Sequence, residues 1–354
     1  MSQQLLHQDS SQLSIINSEL SLLNFFEKKG KFIMGYDDTQ YILAWDDEIN
    51  SFSFHSPSIK STLLANAATV FSNYLRTKHS TDPSSLIRSN ELFAAGMKYF
   101  QKSIYLQYEL VEQINKSDHP NVLQVRELLA SCLVQFGYFM INNHKMLPLL
   151  SLNRNQVDLI SLMQSHRNLR IKYFTYVTDV VSGQKILPYF TIIPPASPEF
   201  EKFCPLTRTL SYDLIEIQDM SEDEKEIMQN VINYFEASLL QAQKVNFACP
   251  VLANILFYSD EFRNSLYMAN EFALRLLFVY ASLCALTGIP LNRLDSIYGD
   301  YITWYKERVV QKYGSFVYSV DRELHSLVMN TSFVLSPSTI HDFDPTVECI
   351  KYEQ

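Results

Sequence analysis

Glycine is scarce in this chain, with eight residues in 354, about 2% against a usual roughly 7%. Tight turns, phosphate loops and close backbone approaches need that residue, so a turn-rich β-sandwich is not expected. No two of Gly30, Gly35, Gly96, Gly137, Gly183, Gly288, Gly299 and Gly314 are spaced as GxGxxG or a P-loop requires. Cysteine is scarce as well. Cys132, Cys204, Cys249, Cys284 and Cys349 are odd in number and lack a CxxC pair. They predict neither a disulfide framework nor a zinc site, and a reducing compartment fits them best.

Positive charge is in deficit, with 29 bases against 38 acids and a formal net charge of −9. Direct binding of this chain to DNA is therefore not expected. The densest basic group, His166, Arg167, Arg170 and Lys172, reads as a solvated helix face. Residues Met1 to Gln12 are polar and lack the apolar core of a signal peptide, so the Asn-x-Ser/Thr sites at Asn115 and Asn330 read as incidental. Phe272 to Leu291 has the length of a membrane span. Arg275, Ser282, Thr287, Gly288 and Pro290 interrupt it, however, which predicts a buried core helix and no membrane span.

What the chain has in abundance is apolar and aromatic material: 47% hydrophobic residues, with 23 Phe, 21 Tyr and ten Met. That supply permits a sizeable core. Its periodicity is helical. Ser56 before Pro57 is an N-cap with proline at the first helical position, and Ile59, Leu63, Leu64, Ala67, Val70, Phe71 and Tyr74 follow at spacings of three and four. This predicts an amphipathic helix to about Leu75. Phe93, Met97, Phe100, Ile104, Tyr108, Val111 and Ile114 form a second stripe, broken at Ser117 to Pro120. Leu128, Leu129, Cys132, Leu133, Phe136 and Met140 form a third. Ser221-x-x-Glu224 is a capping box ahead of Met228, Val231, Phe235, Leu239 and Ala242. Glu271 to Leu286 is apolar nearly all round and should be the most buried helix, and Leu294 to Val309 carries the next stripe, closed by Gly314.

The middle of the chain departs from this pattern. Tyr173 to Val181 and Ile186 to Ile193 flank Ser182 and Gly183 and suit a hairpin. Pro188, Pro194, Pro195, Pro198 and Pro205 then exclude a continuous helix and predict a long crossing loop over 182–218. The fold class expected is all-α, an irregular antiparallel helical bundle with a Pro-rich central loop. Its limits are a polar segment over 1–12, one helical domain over 13–330 and a C-terminal tail over 331–354.

Catalytic signatures are not evident. HExxH and GxSxG are absent, and the eight histidines are scattered, although His144, His325 and His341 are able to gather in space. The acidic runs Asp37-Asp38, Asp46-Asp47-Glu48 and Glu222-Asp223-Glu224 read as helix starts or turns. An isoprenoid-synthase DDxxD motif fails, because Asp37-Asp38-Thr39-Gln40-Tyr41 lacks its last acid. No enzyme, metal or cofactor is expected. Tyrosine joins a flat apolar body to one hydroxyl, which suits a pocket for a large apolar ligand. The candidate ligand-lining residues are Met268, Phe272, Leu276, Val279, Tyr280 and Leu283, set against their reading as plain core.

The order of these features resembles the regulatory domain of fungal zinc-cluster transcription factors, especially the group of yeast sterol-uptake regulators. Ser18 to Phe26 resembles the family's first helix, with Trp45 after it. The stretch Ser56-Pro-Ser-Ile-Lys-Ser-Thr-Leu-Leu-Ala-Asn-Ala-Ala68 is similar to its His-Pro…Leu-Leu-x-Ala-x-Ala-Ala helix. Tyr99 to Ile104, Val157 to Leu162, Ala273 to Leu286 and Tyr298 to Val309 resemble later elements, so the likeness spans residues 13–330. It implies a nuclear regulatory module that forms homo- or heterodimers with a zinc-cluster factor and takes a sterol or other lipid effector. The family's six-cysteine DNA-binding cluster has no counterpart here, and neither does the glycine-rich C-terminal stretch of the sterol-responsive members. The chain then reads as the regulatory part of a longer factor or as a protein acting through a partner. The alternative is an all-helical scaffold or adaptor without a ligand.

Overall fold

The computed structural model describes residues 18–30, 55–78, 81–117, 121–141, 147–153, 155–173, 203–288 and 292–353. The fold is all-α; every regular element among the described residues is helical. The chain divides into two compact units, residues 1–142 and 143–354, where a single domain over 13–330 is the sequence expectation.

In the first unit a helical stretch over 18–25 passes into a π-helical turn, Phe26–Gly30. Three long helices follow: α1 (Pro57–Lys78), α2 (Pro83–Asn115) and α3 (Val122–Ile141). The cap expected at Ser56 is present, its hydroxyl accepting from Ile59 N at 3.2 Å. Yet α1 is not amphipathic in its surroundings, because Ser58, Thr62, Asn66, Thr69 and Ser72 are buried beside Ile59, Leu64 and Val70. Internal partners take up most of these polar groups. Ser58 Oγ lies 2.9 Å from Ser131 Oγ, Asn66 Nδ2 donates to Val134 O at 3.4 Å, and Ser72 Oγ donates to Ser89 O at 2.7 Å.

The face that α2 buries follows the stripe in its sequence only at Phe100 and Ile114. Ser89, Gly96, Ser103 and Leu110 recur every seventh position and are buried, whereas Ile104 and Tyr108 are exposed. Small side chains let α2 approach α1 closely. A Cβ at Gly96 would stand 2.6 Å from Thr69 Oγ1 and 3.3 Å from Ala65 O. Phe100 takes up the remaining space, stacked on Tyr138 of α3 at 4.2 Å and edge-on to Phe139 at 5.0 Å.

The second unit contains α4 (Leu159–Lys172), α5 (Pro205–Ile215), α6 (Glu222–Val245), α7 (Cys249–Ala253) running into a 3-10 turn (Asn254–Phe257), and α8 (Asp260–Tyr267). It continues with α9 (Glu271–Leu286), α10 (Ile297–Tyr313), α11 (Ser319–Met329), a 3-10 helix (Pro337–Asp342) and α12 (Pro345–Glu353). The capping box Ser221/Glu224 starts α6 as expected, and Gly314, at φ 81°, closes α10. α9 is the centre of this unit. Every residue from Phe272 to Leu286 is buried, against α6, α7, α8, α10 and α11. Among the described residues no single helix is long and apolar enough to cross a membrane.

Two expected boundaries move. The loop over 182–218 gives way to α5 from Pro205, which occupies the first helical turn where proline's missing N–H costs nothing. Residues 182–202, with the other four prolines, and the hairpin flanks beyond Tyr173 lie outside the described residues. The expected tail over 331–354 is folded. Leu335 N donates to Leu286 O at 2.8 Å, and Phe333, Ile340 and Phe343 are buried. A buried ionisable pair ties it to α6, with His341 Nε2 2.5 Å from Glu236 Oε1. Glu236 also accepts from Thr207 Oγ1 and from Cys204 N at the start of α5.

Candidate functional site

The six ligand-lining candidates separate into three environments. Leu276, Val279, Tyr280 and Leu283 point into the closed core of the second unit, and the Tyr280 hydroxyl is spent on Leu252 O at 2.8 Å. Met268, 74% exposed, ends α8 and stands on the wall of a groove of about 740 Å³ with Asp158, Ser161 and Tyr267. Asp158 there is fully occupied as the N-cap of α4, accepting from Ser151 N, Ser161 N and Tyr267 Oη. Phe272 alone enters a second cleft, at the start of α9.

That cleft, about 450 Å³, forms where four helix ends of the second unit converge. The chain leaving α5 supplies Ile217, Asp219 and Met220, and the first turn of α6 supplies Glu224. α9 supplies Glu271, Phe272 and Arg275 from its start, which Asn270 caps by accepting from Phe272 N and Ala273 N. α10 contributes Tyr305, Val309 and Tyr313, and the left-handed turn at Gly314 brings Val317 and Tyr318 back to the opening.

Arg275 is the unusual residue of this wall, a cation 1% exposed on an otherwise apolar helix. Two carboxylates hold it. Its Nε donates to Asp321 Oδ1 at 2.9 Å and its Nη2 to Asp213 Oδ2 at 2.6 Å. Tyr305 Oη adds a bond to Asp321 Oδ2 at 3.2 Å, and the Tyr318 ring covers the guanidinium with its centroid 3.4 Å from Cζ. Burial works against the charge on Arg275, but Asp321 and Asp213 outweigh it and raise the pKa, so the group stays protonated. Burial also raises Asp321, against the opposing pull of Arg275. The third nitrogen, Nη1, is buried without a hydrogen-bond partner.

Charge around the cleft is mostly negative. Glu271 is met by Arg308 Nη2 at 2.8 Å and Lys312 Nζ at 2.9 Å, while the Glu224 carboxylate caps Ser221. In the sequence Arg275 stands as an interruption of an apolar run, and its isolation there is the signal that marks it. Asp213, Asp321 and Tyr318 carry no such signal, because their convergence depends on how α5, α9 and α11 pack.

The other candidates for chemistry do not assemble. His325 lies beside Phe316 and His341 on Glu236, while His144 falls outside the described residues. Among the described residues no group of three His, Cys, Asp or Glu is placed to hold a metal ion. His166 corrects its assignment to a solvated face: it is buried, and burial lowers its pKa to about 4. The cysteines are free thiols, and burial pushes Cys132, Cys204 and Cys249 up to about 12. No protein-family model, curated protein or solved structure matches this chain.

Proposed function

We propose that this chain is a non-catalytic regulatory module of the fungal zinc-cluster transcription-factor type, one that self-associates and takes a hydrophobic, sterol-like effector. It acts in the nucleus through a partner, or a further segment, that carries the DNA-binding cluster. The order of motifs along the sequence supports this reading, and an all-α fold is consistent with it. The observation that carries it is the cleft at the start of α9, whose lining joins aromatic and apolar side chains to the buried Arg275 and to the carboxylates of Asp219, Glu224 and Glu271. A cavity of this size lies within the roughly 300–1,000 Å³ of small-molecule sites.

Regulation by an effector requires that it bind one conformation better than another. Four helices end at the cleft, so an occupant that draws them together changes the surface they present. The test adds ergosterol and related lipids to the purified chain and reads saturable binding and a raised melting temperature. A fusion to an unrelated DNA-binding domain then reports whether the occupied chain alters transcription. Absence of a thermal shift with every lipid removes the effector, and a silent reporter removes the regulatory role.

A second reading, a helical scaffold, draws on Ile104, Tyr105 and Tyr108, which form an exposed apolar row on α2. Nuclear exclusion with co-purifying cytoplasmic complexes would favour it.

A further inference from the structure

We propose that the outer face of α2 receives a second copy of this chain, the two α2 helices lying antiparallel with Tyr105 at the two-fold axis. The inference rests on the self-association in the reading above and adds its surface and register.

The side of α2 turned away from α1 has a seam of its own. Ser89, Gly96, Ser103 and Leu110 are buried at intervals of seven. Opposite them Ala94, Lys98, Gln101, Tyr105, Tyr108 and Glu112 follow one another at alternating spacings of four and three, the period that keeps one row of a helix facing one partner. All are exposed except Glu112, which is half-buried. Tyr105 and Tyr108, 62% and 63% exposed, make the middle of this row aromatic, as the centre of a protein interface is.

Charge selects the occupant and its direction. Lys98 and Lys102 precede the two tyrosines, and Glu109 and Glu112 follow them, so the face is complementary to itself after a two-fold rotation. Lys98 stands seven residues before Tyr105 and Glu112 seven after it. In an antiparallel pair centred on Tyr105 each Lys98 therefore meets Glu112 of the second copy at the same level. Lys102, three residues before, and Glu109, four after, come within one residue's rise of each other, about 1.5 Å. A parallel pair would set each lysine and each glutamate against its own copy, and like charges so placed repel.

The charges are available for this. Among the described residues neither Lys98 nor Lys102 has an ion-pair partner within the chain. Glu112 accepts from Lys116 Nζ at 2.7 Å and from Tyr108 Oη at 3.1 Å, which leaves its carboxylate lone pairs for a second lysine. The contact from Lys98 to Glu112 runs along roughly 21 Å of helix. An interface of that size is below the standard range, so the dimer is expected to be reversible and of micromolar affinity.

The experiment follows the full chain by sedimentation across the micromolar range. The wild type should pass reversibly from monomer to dimer. Lys98→Glu alone and Glu112→Lys alone should each weaken the dimer about tenfold or more, because two attractive pairs become two repulsive ones. The double variant K98E/E112K, and an equimolar mixture of the two single variants, should dimerise as the wild type does. Tyr105→Glu should abolish the dimer by setting two carboxylates together at the axis. The melting temperature of dilute protein should not move in any of these, since the altered side chains lie on the outer face. A wild type that stays monomeric, a single reversal without effect, or a double variant that stays weak would each overturn the inference. In the second case the chain pairs through another face and the proposed reading stands. In the first case self-association falls as well and the α2 row returns to an unrelated protein, while the ergosterol titration and the transcription reporter still decide the effector and the regulatory role.

Discussion

The α1–α2 pair of the first unit and α9 of the second are both buried, by opposite means. α9 is covered because its side chains are large and apolar on every face, so composition along the sequence is enough to mark it. α1 and α2 meet through serine, threonine, alanine and glycine, and large apolar residues of α2 such as Ile104 and Tyr108 remain outside. Apolarity therefore identifies a core helix in one unit, and in the other marks a stripe of which Phe100 and Ile114 are buried and Ile104 and Tyr108 are not. Close backbone approach supplies dispersion contacts that small residues alone permit.

The largest expected effect tests the single charge inside the apolar helix. Arg275→Met leaves Asp321 buried and uncompensated, and should cost about 3–5 kcal/mol in urea unfolding. Replacing Arg275 and Asp321 together with apolar residues should recover much of that loss. If the single variant is as stable as the wild type, the pair is not buried as described.

Gly96→Leu addresses the other side of the comparison. Its side chain collides with Thr69 and Ala65, so about 2–3 kcal/mol of destabilisation is expected. Amide exchange should accelerate in α1 and α2 and stay unchanged in α9. A uniform change would show that the two units unfold as one.

A pH series distinguishes the units further. The folded pKa of His166, about 4, lies below its ordinary 6.5, so the unfolded chain binds the proton first. Its contribution is complete above about pH 6.5, declines as the pH falls toward 4, and amounts to roughly 3 kcal/mol. His166→Gln should flatten the stability profile across that window. An unchanged slope would assign the acid sensitivity to other groups.

The smallest effect is expected at Ile104→Ser. Its side chain is exposed on α2, and the change in monomer stability should stay within about 0.5 kcal/mol. Phe100→Ala, one turn earlier, should cost about 3 kcal/mol or more, because it empties the space between Tyr138 and Phe139. Equal costs at the two positions would place Ile104 in the contact with Phe100 and extend the contact face along the whole stripe.

Much of the helical content was legible in advance. Ser56, Ser221 with Glu224, and Gly314 all cap the helices they were expected to cap, because capping depends on groups three or four residues apart. The candidate site was legible only at Phe272. Met268 and the four core residues share its apolar character, yet whether an apolar side chain faces a cleft or a neighbouring helix depends on what packs opposite. His166 departs from the expected solvated face for the same reason, since charged neighbours in the sequence do not reveal what covers the imidazole.

Sequence by itself determined that this chain is helical, where most helices begin and end, and that α9 is buried, because hydrogen-bond caps and apolar periodicity act within a few residues. Tertiary structure alone decided that the chain forms two units, that residues 331–353 join the second, and that Arg275 meets Asp213 and Asp321. Those outcomes depend on side chains up to 105 residues apart, and chain geometry, not local propensity, brings them together.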